Sequence, residues 1–173
     1  MNIKHIFFDL DRTLWDFEEN SRATLLDLIF YFNLLEKGVD SPESFISKYK
    51  VHNDKLWDLY RNNQITKEDL RSRRFLLTLK EYGIEDLDLA ERFGLAYIKK
   101  SPYRTKTFPF AHKLLSYLDK KYHLHIITNG FEEVQDIKLI ASGLKKYFDI
   151  IVTSEKAGVK KPNPKIFKFA LEA

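Results

Sequence analysis

Three short, mostly apolar runs constrain the fold of this chain more than any other feature of its sequence. They occupy residues 6–8, 124–127 and 148–152. Runs of this length are typical of strands that are buried on both faces of a parallel sheet. Helical patterns precede the second run and separate it from the third. This alternation predicts an α/β fold with a Rossmann-like parallel sheet.

The helices next to these strands are predicted from apolar residues that recur with the helical period. Each apolar stripe is expected to lie against the sheet, because an amphipathic helix buries its apolar face. The stripes are Phe110, Leu114, Leu115 and Leu118 before the second strand, and Val134, Ile137, Ile140 and Ala141 after it.

Residues 16–105 show a different pattern, since no strand candidate interrupts them. Glycine, proline and asparagine residues separate four helical stretches, which predicts an all-helical insert. The stretches are 18–35, 41–61, 66–82 and 86–100. The chain is therefore expected to have two domains: an α/β core formed by residues 1–15 and 106–173, and a helical domain formed by residues 16–105.

Composition excludes several classes of protein. Hydrophobic residues make up 44% of the 173 residues and charged residues 31%, which is typical of a globular protein rather than a disordered or fibrous one. The absence of cysteine excludes disulfides, thiolate zinc sites and thiol catalysis. The net charge of +4 suits an anionic substrate, and no motif indicates nucleic-acid binding. No apolar run reaches the ~18 residues of a membrane span and no signal peptide is recognised, so a cytoplasmic location without membrane contact is predicted.

A pair of aspartates follows the first predicted strand. Asp9 and Asp11 are spaced i and i+2, so on an extended chain both carboxylates point to the same side, ~7 Å apart. At an effective dielectric constant of about 20 they repel by roughly 2–3 kcal/mol, so a metal ion or a lysine should lie nearby. One carboxylate is suited to attack phosphorus and the other to transfer protons. A helix-capping or turn role is the alternative for this pair.

Polar residues also follow the other two predicted strands. The turn formed by Thr128, Asn129 and Gly130 offers a hydroxyl and backbone N–H groups that suit an anionic oxygen, although an ordinary polar turn has the same composition. Lys160 and Lys161 precede two prolines after the third strand, where a lysine can reach the aspartates or a phosphate, a surface charge run being the alternative. Because the carboxyl ends of parallel strands meet at one sheet edge, these groups are expected to share one site.

Three segments of the chain carry a resemblance to a known family. Residues 8–14, 126–130 and 158–167 resemble the first three motifs of the haloacid dehalogenase-like hydrolase superfamily, and the helical insert occupies the position of that family's C1 cap domain. Residues 12–17 and the turn at 128–130 are most similar to the branch of pyrimidine 5′-nucleotidases. The resemblance implies a Mg²⁺-dependent phosphate monoester hydrolase that forms an aspartyl-phosphate and acts on a small phosphorylated metabolite, such as a nucleoside 5′-monophosphate.

The resemblance also assigns roles to individual residues. It implies that Asp9 is the nucleophile, that Asp11 protonates the leaving oxygen and then activates water, and that Lys161 holds Asp9 and the phosphate. It implies further that the turn at 128–130 binds the phosphoryl group, and that Asp9 and the backbone carbonyl of Asp11 bind Mg²⁺. Within this family, the second aspartate distinguishes phosphatases from true haloacid dehalogenases.

The fourth motif of that family, an acidic loop after a fourth strand, has no counterpart before Ala173. We therefore expect the chain to be a truncated copy of a longer enzyme with little phosphatase activity. Glu155 is a weak substitute for the metal ligands that this loop supplies. Without a fourth strand, residues 6–8 should form an apolar sheet edge that is either bare or paired with another chain through self-association.

Other assignments stay open at this point. The site residues also fit a sugar phosphomutase or a phosphate-binding module without catalysis, whereas the helical insert argues against a phospho-acceptor signalling domain. His123 and His125 offer a pair of metal ligands, although a structural role is favoured. The aromatic residues Trp57, Tyr60 and Tyr49 offer a surface for stacking on a nucleobase, although packing inside the helical domain is favoured.

Overall fold

The computed structural model describes residues 3–173, which group into two units. The first unit contains the residues up to Asn20 together with Pro102–Ala173, and the second contains Ser21–Ser101. Both limits differ from the predicted domain boundaries by a few residues, so the unit that contains the strands is slightly larger than predicted. Each unit has a hydrophobic core of its own.

The first unit is built on a parallel sheet of three strands, which confirms the predicted α/β fold. The strands β1 (His5–Phe8), β2 (His123–Thr128) and β3 (Ile150–Thr153) lie in that order, with β2 in the centre. In the described part of the chain β1 pairs with β2 alone, and its last three residues are half-buried. β1 is therefore a sheet edge, as expected, and its use in self-association stays a prediction.

Helices cover both faces of this sheet, as is usual for parallel strands. Leu115 and Leu139 pack with Ile126 on one face, and Ile166 packs with Ile127 on the other. The helices are α5 (Ala111–Leu118), α6 (Glu132–Ala141), α7 (Ser154–Ala157) and α8 (Pro164–Glu172). The helices that precede α5 in the chain are described below with the second unit.

The apolar stripes predicted for α5 and α6 are wrong in part. Phe110, Leu114 and Ile140 are exposed by 77%, 46% and 61%. Phe110 precedes α5 and adopts a left-handed φ of 66°, so it does not continue the helical stripe. On α6 the buried face includes Gln135 and Lys138, whose hydrogen bonds fix the rotation of the helix about its axis.

The second unit is all-helical, as the sequence predicts. Its first helix ends at Tyr31, earlier than predicted, and Asn33 soon after it has a left-handed φ of 52°. The helices are α1 (Phe17–Tyr31), which begins in the first unit, α2 (Pro42–Arg61), α3 (Lys67–Lys80) and α4 (Leu87–Lys100). None of the helices in residues 3–173 is long and apolar enough to cross a lipid bilayer.

Side-chain caps and aromatic packing explain why the helical unit forms. The residues before α2, α3 and α4 each accept a hydrogen bond from a backbone N–H of the first turn, which stabilises the helix start. These caps are Ser41, Thr66 and Asp86. In the core, the ring centre of Tyr49 lies 5.2 Å from that of Phe75, and Tyr60 is also buried. Tyr49 and Tyr60 thus pack inside the unit, the alternative that the sequence favours.

Three histidines stack at the amino end of β1 and β2. The ring centre of His5 lies 5.0 Å from that of His123 and 5.2 Å from that of His125, and His5 Nδ1 lies 3.0 Å from His125 Nε2. His123 Nδ1 also lies 2.9 Å from Asp149 Oδ2. Within residues 3–173 no group of three or more His, Asp or Glu side chains is arranged to hold a metal ion, and the structural role of the histidines stays a prediction.

Acid is expected to destabilise the first unit through His125. Burial and the neighbouring His5 lower the pKa of His125 below its usual value of 6.5. The unfolded chain therefore takes up this proton first, so stability that is present above about pH 6.5 is lost as the pH falls below it. Urea unfolding at about pH 7.5 and about pH 5.5 should show the loss, and His125→Phe should reduce it. An equal loss in the variant would show that other groups cause it.

Candidate active site

Asp9 and Lys161 meet at the carboxyl edge of the sheet. Asp9 directly follows β1, and Lys161 lies between α7 and α8. Lys161 Nζ lies 2.9 Å from Asp9 Oδ1 and donates a hydrogen bond of 2.7 Å to Ile127 O. Asp9 Oδ1 also accepts a hydrogen bond from the N–H of Leu10, whereas Asp9 Oδ2 has no protein partner in the described part of the chain. The ammonium thus fixes the carboxylate and leaves one of its oxygens open.

Asn129 ties the turn after β2 to the segment that carries Lys161. Asn129 Nδ2 donates a hydrogen bond of 3.0 Å to Lys161 O, and Lys161 N–H donates one of 2.8 Å to Asn129 Oδ1. Two hydrogen bonds to one residue fix the backbone from which the lysine side chain extends. The side chain of Asn129 therefore positions Lys161, while its predicted contact with phosphate stays a prediction.

Thr128 ends β2 with a buried hydroxyl that accepts two hydrogen bonds. Thr128 Oγ1 lies 3.0 Å from the N of Gly130 and 2.8 Å from Gln135 Nε2, and both groups donate to it. With both lone pairs engaged, the hydroxyl can still donate its own proton to an anionic oxygen. A Cβ at position 130 would lie 1.6 Å from Gln135 Nε2, so a residue other than glycine here would displace the side chain of Gln135. Its N–H is engaged with Thr128 rather than open to a ligand.

Asp11 contacts two side chains of α6 that the sequence analysis misses. Lys138 Nζ lies 2.6 Å from Asp11 Oδ1, and Gln135 Nε2 donates a hydrogen bond of 2.9 Å to Asp11 Oδ2. Lys138 Nζ also lies 4.5 Å from the ring centre of Trp15. A lysine therefore lies beside each aspartate of the predicted pair, in agreement with the expectation that a cation offsets their repulsion.

The hydrophobic pattern of α6 explains why these two residues are missed. It counts apolar residues only and therefore places Ile140 on the buried face, whereas the structure exposes Ile140 and buries Lys138. A usable signal is the spacing of Gln135 and Lys138. Residues three apart lie on one side of a helix, and this helix starts directly after the turn predicted to bind phosphate.

The oxygen donors of this site suit a hard cation such as Mg²⁺. The side chain of Asp9 is 44% exposed, and Mg²⁺ commonly binds one or two protein carboxylates and takes its other ligands from water and substrate phosphate. Glu155, the predicted substitute ligand, accepts a hydrogen bond of 2.8 Å from the N–H of Glu132 at the start of α6. Glu155 thus has a structural role in the first turn of that helix.

Comparison with known proteins identifies the family of this chain. The sequence pattern of the haloacid dehalogenase-like hydrolases matches residues 3–173. The chain belongs to this family. Among solved structures, this haloacid dehalogenase-like hydrolase is similar to the HAD-hydrolase YfnB from Bacillus subtilis bound to magnesium, with a TM-score of 0.89 and 27% identity. The similarity covers 99% of this chain and 74% of that one.

Two curated relatives of this haloacid dehalogenase-like hydrolase are pyrimidine 5′-nucleotidases. YjjG of Escherichia coli is 36% identical over 167 residues, which cover 96% of this chain and 69% of YjjG. PynA of Streptococcus pneumoniae is 31% identical over 166 residues, which cover 94% of this chain and 66% of PynA. The chain thus spans about two thirds of the length of these relatives, and the predicted similarity to pyrimidine 5′-nucleotidases is confirmed.

Proposed function

We propose that this hydrolase cleaves phosphate monoesters by transferring the phosphoryl group to Asp9. The observation that carries the proposal is the distance of 2.9 Å between Lys161 Nζ and Asp9 Oδ1, with Asp9 Oδ2 open. An ionised carboxylate with an open oxygen is a nucleophile. The adjacent ammonium offsets the negative charge that a phosphate brings to this carboxylate.

Hydrolysis then takes two displacements at phosphorus. In the first, Asp9 Oδ2 forms a bond to phosphorus while the ester P–O bond breaks, and Asp11 gives its proton to the departing oxygen. In the second, Asp11 takes a proton from a water molecule whose oxygen attacks phosphorus, and the bond between phosphorus and Asp9 breaks to release phosphate. The hydroxyl of Thr128 and the ammonium of Lys161 donate hydrogen bonds to the phosphoryl oxygens in both steps.

Mg²⁺ is the cofactor that we propose for this reaction. When bound, it supplies positive charge next to the phosphoryl oxygens. The carboxylate of Asp9 and the backbone carbonyl of Asp11 would hold it. The similarity to YfnB, whose structure is bound to magnesium, supports this choice.

A nucleoside 5′-monophosphate with a pyrimidine base is the substrate that we propose. YjjG and PynA, which bear the name pyrimidine 5′-nucleotidase, support it. The net charge of +4 also suits a dianionic substrate. The predicted cytoplasmic location is part of the same proposal.

The proposal is tested by incubating the purified protein with uridine 5′-monophosphate and with p-nitrophenyl phosphate. We expect phosphate release that requires Mg²⁺ and stops when EDTA removes the metal. Mass spectrometry of acid-quenched samples should also follow the phosphoryl group on the peptide that contains Asp9. Folded protein that shows neither phosphate release nor this adduct would contradict the proposal.

A further inference from the structure

A buried lysine on α6 has no part in the steps described above. Lys138 is only 7% exposed, and its Nζ lies 2.6 Å from Asp11 Oδ1. We propose that Lys138 and Gln135 are positioning residues that hold the carboxyl group of Asp11 for proton transfer. This inference rests on the proposed function, since it concerns the proton that Asp11 gives to the leaving oxygen.

Stability alone is a poor explanation for this buried ion pair. Removing an ammonium from water is unfavourable, and a buried ion pair commonly stabilises a fold no better than apolar residues of the same size. Asp11 and the ring of Trp15, at 4.5 Å, offset part of that cost for Lys138. An apolar residue at this place on α6 would avoid the cost altogether. The charge of Lys138 is therefore better explained by its effect on Asp11.

Gln135 holds the second oxygen of the same carboxylate. Its Nε2 donates hydrogen bonds to Asp11 Oδ2 at 2.9 Å and to Thr128 Oγ1 at 2.8 Å. Gln135 Oε1 is buried and has no hydrogen-bond partner within residues 3–173. Both N–H protons of the Gln135 side-chain amide therefore point into the site, and its oxygen stays without a partner. If the amide were turned over, Oε1 would face the carboxylate of Asp11. Asp11 is thereby linked to the hydroxyl that we propose for phosphoryl binding.

Lys138 and Gln135 fix the orientation of the Asp11 carboxyl group from two sides, because Lys138 Nζ contacts Oδ1 and Gln135 Nε2 donates to Oδ2. A proton donor must lie within hydrogen-bond reach of the oxygen that it protonates. Without Lys138 the carboxyl group of Asp11 can rotate away from this orientation. The rate should therefore depend on Lys138 when the leaving oxygen needs a proton, and hardly at all when it does not.

Lys138→Met tests this difference with two phosphate esters. The ratio kcat/KM reports the steps up to departure of the leaving group. For uridine 5′-monophosphate, whose alkoxide needs a proton, we expect kcat/KM to fall roughly ten- to a hundredfold. For p-nitrophenyl phosphate, whose phenolate leaves without a proton, we expect a change within about threefold. Equal falls for both esters would assign Lys138 a purely structural role, and no fall for either would remove it from the reaction; both results overturn the proposal.

Lys145→Met is the matched control for this experiment. Lys145 Nζ, like Lys138 Nζ, contacts an aspartate. Its partner is Asp136 on α6, and this ion pair lies on the exposed surface of the protein. Exposed pairs contribute little, so kcat/KM should be unchanged for both esters. A fall for uridine 5′-monophosphate as large as that of Lys138→Met would overturn the assignment.

A second readout does not depend on turnover, so it separates this inference from the proposed function. The chain contains two glutamines, Gln64 and Gln135. In Lys138→Met the side-chain amide NMR signal of Gln135 should shift, because the carboxylate that it contacts is released, whereas the signal of exposed Gln64 should not. Absence of an Asp9 adduct would contradict the proposed function alone. An unchanged Gln135 signal would overturn the shared contact with Asp11.

Discussion

Asp9→Asn is expected to slow both phosphate release and formation of the phosphoryl adduct by at least about a thousandfold. The side-chain amide of asparagine is not a nucleophile at neutral pH, although it has nearly the shape of the carboxylate. Its Oδ1 can still accept the hydrogen bond from the N–H of Leu10 and face Lys161 Nζ, so the fold should persist. Both esters should be affected alike, and the rates should be measured with Mg²⁺ present.

Asp119→Asn is the matched control for this substitution. Asp119 is an exposed residue just after α5, so the same chemical change there should leave the rate unaltered. Circular dichroism and urea unfolding of both variants check that the fold is retained. Folded Asp9→Asn protein that keeps a rate within about tenfold of the unsubstituted protein would exclude Asp9 as the nucleophile.

The position of the site could be predicted because sheet topology alone determines it. Each strand is a short apolar run, and the first residue that is too polar to stay in the sheet marks its carboxyl end. Asp9 follows β1 at such a point, and Lys161 follows β3 after one turn of helix. Parallel pairing of β1, β2 and β3 then brings residues from distant parts of the sequence to one edge. No knowledge of side-chain conformation is needed for this step.

The surroundings of Asp11 could not be predicted in this way. The rotation of α6 depends on hydrogen bonds from Gln135 and Lys138 to a residue far away in the sequence, and a hydrophobic pattern contains no such information. Counting apolar positions therefore favoured Ile140, which is exposed. Phe110 shows a second limit, since its left-handed backbone conformation is rare for a residue other than glycine. Propensity rules do not anticipate either feature.

Lys161→Met is expected to lower kcat/KM roughly a hundred- to a thousandfold for uridine 5′-monophosphate and for p-nitrophenyl phosphate alike. The substitution removes the cation that lies 2.9 Å from Asp9 Oδ1 and leaves that carboxylate without its counter-ion. Because Lys161 acts on the phosphoryl group rather than on the leaving oxygen, the two esters should not differ. Lys138→Met, in contrast, should slow the reaction of uridine 5′-monophosphate and leave that of p-nitrophenyl phosphate nearly unchanged. A comparison of the two esters therefore distinguishes the roles of the two lysines.

Lys160→Met is the control that assigns this effect to one ammonium rather than to the charge of the segment. Lys160 is the preceding residue, and burial lowers the pKa of its side chain, so it is a second partly buried ammonium group of the same segment. The contact with Asp9 belongs to Lys161, however, and Asn129 fixes the backbone of that residue. We therefore expect kcat/KM of Lys160→Met to stay within about tenfold of the unsubstituted protein. Equal losses in the two variants would mean that the segment acts through its total charge, and the geometry at Asp9 would then not explain the reaction.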